Sequence, residues 1–276
     1  MKIKIHIAFI FILFYSSFCF SQNDCSVDNQ TFKYNEQLNY KIFYNWGAIW
    51  MTAGEASFNT YKTKIKETEC FHFVGLGATY PKYDWFYKVR DKYESYADTA
   101  SLKPLRFVRE VYEGNNFAHD DYVFNHKRNK VFTSSKRGKE ASKLDSLKIT
   151  SCTNDVMTAI YYTRCLDFSK YKPNDTIPIT FVLDGVVYPS YIRYVGKEVI
   201  KSDAFGTVRC IKFRPNLIKG SIFKGGEGMT VWVTDDKNKI PVYVETPIIV
   251  GTVKVKLASF ANLKNPTDCI IKSKAP

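Results

Sequence analysis

The sequence predicts an all-β, mainly antiparallel fold: a large curved sheet, open barrel or sandwich of about twelve strands with one central helix near residues 154–166. Three observations support this prediction. Aromatic residues make up 16% of the 276 residues, and aromatic side chains favour strands. Apolar and polar residues alternate with a period of two along most of the chain, as in strands with one buried face. Only one stretch shows helical spacing.

The alternation predicts strands from one end of the chain to the other. It begins where Leu38 and Tyr40 are separated by the polar Asn39. The segment Glu113-Gly114-Asn115-Asn116 predicts a tight hairpin between two strands. The remaining strands are expected at 55–59, Cys70–Leu76, Trp85–Tyr96, Leu105–Tyr112, Phe117–Phe124, Lys130–Ser135, Thr176–Leu183, Val187–Val195, Thr207–Arg214, Met229–Thr234, Pro241–Glu245 and Thr252–Phe260.

The helical stretch runs from Asn154 to Leu166. Thr153, Asn154 and Asp155 offer capping oxygens at its start, and Pro173 lies beyond its end. The spacing of the apolar residues predicts that Val156, Ile160 and Thr163 pack against the inner face of the sheet.

The N-terminus resembles a secretory signal in its layout. Two lysines precede an apolar run from Ile7 to Phe20, and the small residues Cys19 and Ser21 stand before Gln22. The run is too short for a membrane-spanning helix, which needs about 20 residues. We therefore expect residues 1–21 to be a cleaved signal peptide and residues 22–276 to form a single β-rich domain. The mature protein would be exported to the periplasm, the outer-membrane periphery or the medium, without a transmembrane segment.

The formal net charge of +13 falls to +11 when the signal is removed. Export argues against a nucleic-acid partner, so lipid, lipopolysaccharide or glycan remain the expected ligands, with peripheral contact to the envelope. The basic residues are densest between Lys127 and Lys143. Solvated hairpin ends and a patch that binds an anionic surface both explain this stretch.

Six cysteines remain after cleavage, and an exported chain permits disulfides between them. Cys25 and Cys269 lie just outside the predicted strands, near termini that are commonly close in space. We predict that these two form a disulfide. The pairing of the other four stays open: Cys70, Cys152, Cys165 and Cys210.

A set of short motifs follows the chain in a fixed order. The motifs are Tyr44-Asn45-Trp46-Gly47, Ala53-Gly54-Glu55-Ala56, Val89-Arg90-Asp91-Lys92-Tyr93-Glu94-Ser95, Pro104-Leu105-Arg106, the helix from Asp155 to Arg164, Tyr194-Val195-Gly196-Lys197-Glu198, Cys210-Ile211-Lys212-Phe213-Arg214-Pro215, Val231-Trp232-Val233-Thr234-Asp235-Asp236 and Ile240-Pro241-Val242. This ordered set resembles an exported bacterial family, the Domain of Unknown Function 3108, which is common in Bacteroidetes. The similarity covers about residues 32–263. It implies a secreted, mostly β protein with no assigned activity and no catalytic residues to transfer.

The sequence contains no catalytic or metal-binding motif of a familiar type. We therefore expect no metal, no cofactor and no catalytic set. Asp84, Asp91 and Glu94 are the carboxylates that could pair for glycoside hydrolysis, since rings at 85–87 beside them resemble a sugar-contacting surface. A strand with alternating buried rings and surface charges explains the same residues.

Three functions remain open. The first is a non-enzymatic envelope protein that binds an apolar or amphipathic ligand between the curved sheet and the helix. The second is a scaffold or interaction protein of the cell envelope, and the third is a carbohydrate-active enzyme. A cavity of roughly 300 Å³ or more would separate the first from the second.

Overall fold

The computed structural model describes residues 25, 27–46, 49–219, 224–249 and 251–272. Within these ranges one helix, α1, spans Val156–Cys165. The first eight strands are β1 (Gln37–Trp46), β2 (Ile49–Ile65), β3 (Thr68–Thr79), β4 (Val89–Asp98), β5 (Pro104–Glu113), β6 (Asn116–Asn125), β7 (Lys130–Arg137) and β8 (Lys143–Lys148). The others are β9 (Thr153–Asp155), β10 (Thr176–Leu183), β11 (Val186–Ser202), β12 (Gly206–Pro215), β13 (Thr230–Thr234), β14 (Pro241–Pro247), β15 (Thr252–Ala261) and β16 (Ile270–Lys272).

All of these strands belong to one mostly antiparallel sheet. Its order is β8-β7-β6-β5-β4-β3-β2-β1-β15-β14-β13-β12-β11-β10-β9, and β16 pairs with β12. Only the short β9 runs parallel to its neighbour, β10. The predicted fold class is confirmed, because strands dominate and one α-helix interrupts them among the described residues. The predicted hairpin at 113–116 is also present, with Gly114 at φ +61° in its two-residue loop.

The sheet curls so that its two end regions approach each other without pairing. Asp184, in the β10–β11 hairpin, forms ion pairs with Arg109 on β5 and Arg137 on β7. The same two arginines bind Asp120 on β6, whose side chain is fully buried. The backbone N–H of Gly185 donates to the Tyr122 hydroxyl at 3.0 Å. Polar contacts therefore join the β10–β11 hairpin to the middle of the other half of the sheet.

Helix α1 begins at Val156, two residues after the predicted start at Asn154, and Asp155, one of the three capping candidates, is its N-cap. Asp155 accepts a hydrogen bond from the Thr158 N–H at 2.8 Å, and the Thr158 hydroxyl accepts one from the Asp155 N–H, which forms a capping box. Ser95 on β4 donates to Asp155 at 2.6 Å. Burial raises the pKa of Asp155 to about 6 against the effect of these hydrogen bonds. The cap therefore also holds the helix against β4.

The face of α1 that packs inward differs from the prediction. Met157, Tyr161 and Arg164 are almost fully buried, whereas Val156 and Ile160 are only half-buried. The Tyr161 ring stacks on Phe73 of β3 with centroids 3.8 Å apart. The prediction was right for Thr163, which is buried, and wrong for Val156 and Ile160. Apolar residues stand on both faces of the helix, so their spacing alone did not show which face packs inward.

That arginine is held by a buried carboxylate. Arg164 donates to both oxygens of Glu36, at 2.6 and 2.9 Å, and its side chain is 2% exposed against 0% for Glu36. It also donates to the backbone carbonyl of Asn238 at 3.0 Å. The helix is thereby tied to the segment before β1 and to the β13–β14 turn.

The predicted disulfide between Cys25 and Cys269 is wrong. Cys25 pairs with Cys152 in the turn before β9, with Cα atoms 5.2 Å apart. The terminal segments do meet, since Asn265 donates to the Gln30 carbonyl at 2.9 Å. Beyond that contact they diverge, because β16 turns back onto β12 and buries Cys269 as a free thiol among apolar side chains.

Candidate ligand-binding cleft

A cleft of about 590 Å³ lies on the sheet where β1, β2, β11, β13, β14 and β15 contribute residues. The pairing register of these strands determines which side chains line it. Residues that pair across neighbouring strands lie on the same face. Lys256 on β15 pairs with Tyr243 on β14. Tyr243 pairs with Trp232 on β13, and Trp232 pairs with Lys212 on β12. The lining consists of Phe43, Trp50, Glu198, Ile200, Lys201, Ser202, Asp203, Trp232, Val242, Tyr243, Glu245, Lys254, Lys256 and Leu257.

Trp232 is the centre of a set of polar contacts within the cleft. Its ring lies 5.0 Å from that of Tyr243, and the Lys212 ammonium lies 4.9 Å from the Trp232 ring centre. Glu198 on β11 accepts hydrogen bonds from the Trp232 indole and from Lys212, both at 2.9 Å. These two hydrogen bonds lower the pKa of Glu198, and the one from Lys212 has the larger effect. The carboxylate is therefore ionised at neutral pH.

A second row lies beside the first, toward the β14–β15 turn. Phe43 pairs with Lys254, and Lys254 pairs with Glu245. The Lys254 ammonium lies 4.1 Å from the centre of the Trp50 ring and 3.8 Å from Glu245. The Tyr243 hydroxyl donates to Glu245 at 2.6 Å.

The chemistry of the cleft is mixed. Burial raises the pKa of Tyr243 most, and the neighbouring Glu245 raises it further. The phenol therefore stays protonated and can donate a hydrogen bond. Three lysines and three carboxylates among the lining residues balance in charge. The cleft therefore offers aromatic faces beside ionised acceptors and ammonium donors, without an excess of either sign.

The structure does not bring the predicted carboxylates together. Asp91 and Glu94 are three residues apart on β4, so their side chains leave opposite faces of the sheet. Glu94 binds His72 at 3.0 Å and Lys92 at 2.8 Å, and Asp84 binds Arg90 at 2.7 Å. The pKa of Asp91 is raised to about 7, mainly by burial and to a smaller extent by the nearby charge of Glu113.

The rings at 85–87 were expected on a strand and lie elsewhere. Strand β4 begins only at Val89, and a short turn of helix at Pro81–Tyr83 precedes the rings. Trp85 and Phe86 are exposed on the β3–β4 loop. The alternation of apolar and polar residues wrongly predicted a strand here, because the backbone leaves the sheet after Thr79 and rejoins it at Val89.

Sequence reasoning missed the cleft residues as a group. Trp232 and Tyr243 belong to strands that were predicted, but their neighbours across the sheet depend on register. The interface between helix and sheet, where a ligand was expected, is filled instead by buried rings of Phe32, Phe73 and Tyr161.

Metal-binding geometry is absent from the residues that the structure describes: none of their His, Cys, Asp and Glu side chains form a group of three placed to hold an ion. Asp120 and Asp121, beside His119, are each bound by an arginine. In the same residues no helix is long and apolar enough to cross a membrane.

Comparison with known protein families shows which family the chain belongs to. The model of the family described as "Protein of unknown function (DUF3108)" matches residues 39–258, most of the sequence. The chain belongs to this family. The predicted resemblance is therefore confirmed, and the matched region of this DUF3108 member includes every residue that lines the cleft. No curated protein matches the sequence.

The solved structures similar to the DUF3108 chain include one from Brucella abortus and one from Bacteroides fragilis. A "beta-barrel-like" protein of the domain of unknown function DUF1849 from Brucella abortus has a TM-score of 0.54 and 11% identity, over 84% of this chain and 99% of that one. This likeness supports the fold alone. A putative exported protein with a YmcC-like fold from Bacteroides fragilis covers 86% of this chain and 100% of its own at 11% identity, but its TM-score of 0.33 carries no weight.

Proposed function

We propose that this protein is an exported, non-enzymatic protein of the cell envelope that binds a glycan in the cleft around Trp232. Export is supported by the signal-like residues 1–21, which lie outside the described residues, and by the disulfide between Cys25 and Cys152. The observation that carries the binding proposal is the row of Trp232 and Tyr243 flanked by Glu198 and Glu245.

Charge decides between a glycan and a lipid chain as the occupant. An acyl chain would remove water from six ionised side chains in the lining without replacing their hydrogen bonds, which is costly. A sugar presents an apolar C–H face that packs on aromatic rings, and its hydroxyls hydrogen-bond to carboxylates and ammonium groups. The mixed lining therefore fits a saccharide better than an apolar ligand.

Titration calorimetry with lipid-free polysaccharide released from a Gram-negative envelope tests this proposal. Wild-type protein should bind, and Trp232→Ala should weaken the affinity by at least about tenfold, since it removes both the stacking face and the indole contact to Glu198. Tyr243→Ala should act in the same direction.

The matched control is Trp85→Ala, an exposed tryptophan outside the cleft. It should leave the affinity unchanged, with circular dichroism showing that all variants are folded. Absence of saccharide binding by the wild type, or equal affinity of the wild type and Trp232→Ala, would show that the cleft does not bind glycans.

A further inference from the structure

Strand register brings several connections to one end of the sheet. Trp46 pairs with Ile49, and Gly54 pairs with Thr79 where β3 ends. The β14–β15 turn reaches the same end, because Thr252 pairs with Asn45. The β5–β6 and β7–β8 hairpins follow along the sheet at this end. We call it the apolar end.

The side chains on these connections are unusually apolar for exposed positions. Trp85 is 82% exposed, and Phe86, beside it, is 54% exposed. Ile49 at the start of β2 is 68% exposed, and Ile249 in the β14–β15 turn is 55% exposed. Four large apolar side chains from three connections therefore meet water at one end, although a folded protein gains from burying such groups.

The connections at the opposite end of the same sheet carry mostly polar and charged residues. Its β2–β3 turn carries Lys66 and Glu67, and its β6–β7 connection carries His126-Lys127-Arg128. The β13–β14 turn, at residues 235–240, is mostly charged and amide residues. The apolar connections are thus a property of one end and not of connections in this fold generally.

Lysines outnumber carboxylates in the connections of the apolar end, where Glu140 of the β7–β8 hairpin is an exposed acidic residue. Asp84, the acidic residue in the β3–β4 loop, is engaged by Arg90 at 2.7 Å. Exposed lysines lie in the same loop and in the β7–β8 hairpin: Lys82, Lys88, Lys139 and Lys143. Lysines around protruding tryptophan and aliphatic side chains are the combination that binds anionic lipid head groups.

We propose that the apolar end docks onto the surface of an anionic lipid bilayer. Trp85, Phe86 and Ile249 enter the interfacial region, where indole and phenyl rings are favoured, and Lys82 and Lys88 contact the head groups. The proposal is independent of glycan binding, because none of these five residues lines the cleft.

Co-sedimentation with vesicles tests the proposal. Wild-type protein should bind vesicles of mixed phosphatidylcholine and phosphatidylglycerol. The triple variant Trp85→Ser, Phe86→Ser and Ile249→Ser should bind at least about tenfold more weakly, since the apolar area available for insertion is lost. Lys82→Glu with Lys88→Glu should weaken binding to these anionic vesicles more than to pure phosphatidylcholine.

The matched control removes two apolar residues of similar exposure elsewhere. Val199 and Ile271 are 55% and 54% exposed, and neither lies in a connection of the apolar end. Val199→Ser with Ile271→Ser should bind vesicles as the wild type does. Polysaccharide binding by the triple variant should also be unchanged, which separates this proposal from the function proposed above.

Three results would overturn the docking proposal. One is failure of the wild type to bind either kind of vesicle. The second is equal vesicle binding by the wild type and the triple variant. The third is a wild-type dimer in solution that the triple variant abolishes while vesicles bind neither protein, which would assign the apolar end to contact with a second copy of the chain.

Discussion

At the scale of single residues, paired buried charges hold the interior together. The Glu36–Arg164 pair is the most buried ion pair among the described residues. Arg164 also lies 5.4 Å from the centres of the Phe32 and Tyr161 rings. Burying two ions is costly. The cost is offset here because Arg164 binds Glu36 through two hydrogen bonds, in a bidentate arrangement, and donates a third to the carbonyl of Asn238.

We expect Glu36→Gln to lower the free energy of unfolding by about 3–5 kcal/mol, because Arg164 stays charged inside the protein without a counter-ion. Urea unfolding measures the effect. Replacing both residues by leucine should cost less than Glu36→Gln alone, since no unpaired charge is then buried.

The matched control is Glu69→Gln, which breaks the ion pair with Lys62. Those side chains are 48% and 54% exposed, so the change should cost at most about 1 kcal/mol. Similar losses for Glu36→Gln and Glu69→Gln would contradict a structural role for the buried pair.

At the scale of elements, the register of α1 decides which of its residues stabilise the sheet. The buried positions 157, 161 and 164 follow spacings of four and three residues, as one helix face requires. Tyr161 contacts Phe73 and Phe32, which links the helix to β3 and to the segment before β1. Ile160, on the neighbouring face, is only half-buried.

Tyr161→Ala should therefore cost about 3–5 kcal/mol of unfolding free energy, the range for removing a buried aromatic side chain. Ile160→Ala at the adjacent position should cost less, because less of its surface is buried in the native state. Thermal and urea unfolding of both variants measure the difference. A larger loss for Ile160→Ala would mean that the helix packs through its other face.

At the scale of the whole molecule, long-range links hold the curled sheet together. The disulfide joins the N-terminal segment to the turn before β9, across 127 residues of sequence. The ion pairs of Asp184 link the β10–β11 hairpin to β5 and β7. These contacts join regions that are distant both in sequence and in strand order.

Replacing Cys25 and Cys152 by serine should lower the free energy of unfolding by about 2–4 kcal/mol, because the unfolded chain loses a large closed loop. Cys165→Ser, at a half-buried free thiol, is the control and should have a smaller effect. Peptide mapping without reduction should recover Cys25 linked to Cys152, and recovery of Cys25 linked to Cys269 instead would refute the pairing in the structure.

The sequence by itself determined the features that depend on neighbours along the chain. Alternation predicted most of the strands, the Gly-Asn loop predicted the 113–116 hairpin, and the capping candidates at 153–155 marked the start of α1 to within two residues. The short strands β8, β9 and β16 were missed because three to six residues carry little periodicity, and β8 is almost wholly exposed.

Only the tertiary structure decided which distant residues meet. The partner of Cys25, the inward face of α1 and the row of Trp232 and Tyr243 all depend on the register and curl of the sheet. Sequence periodicity shows which residues share a face within one element, but it contains no information on which elements are neighbours. Register and closure result from packing the whole chain, which is why the candidate cleft and the apolar end were visible only in the folded molecule.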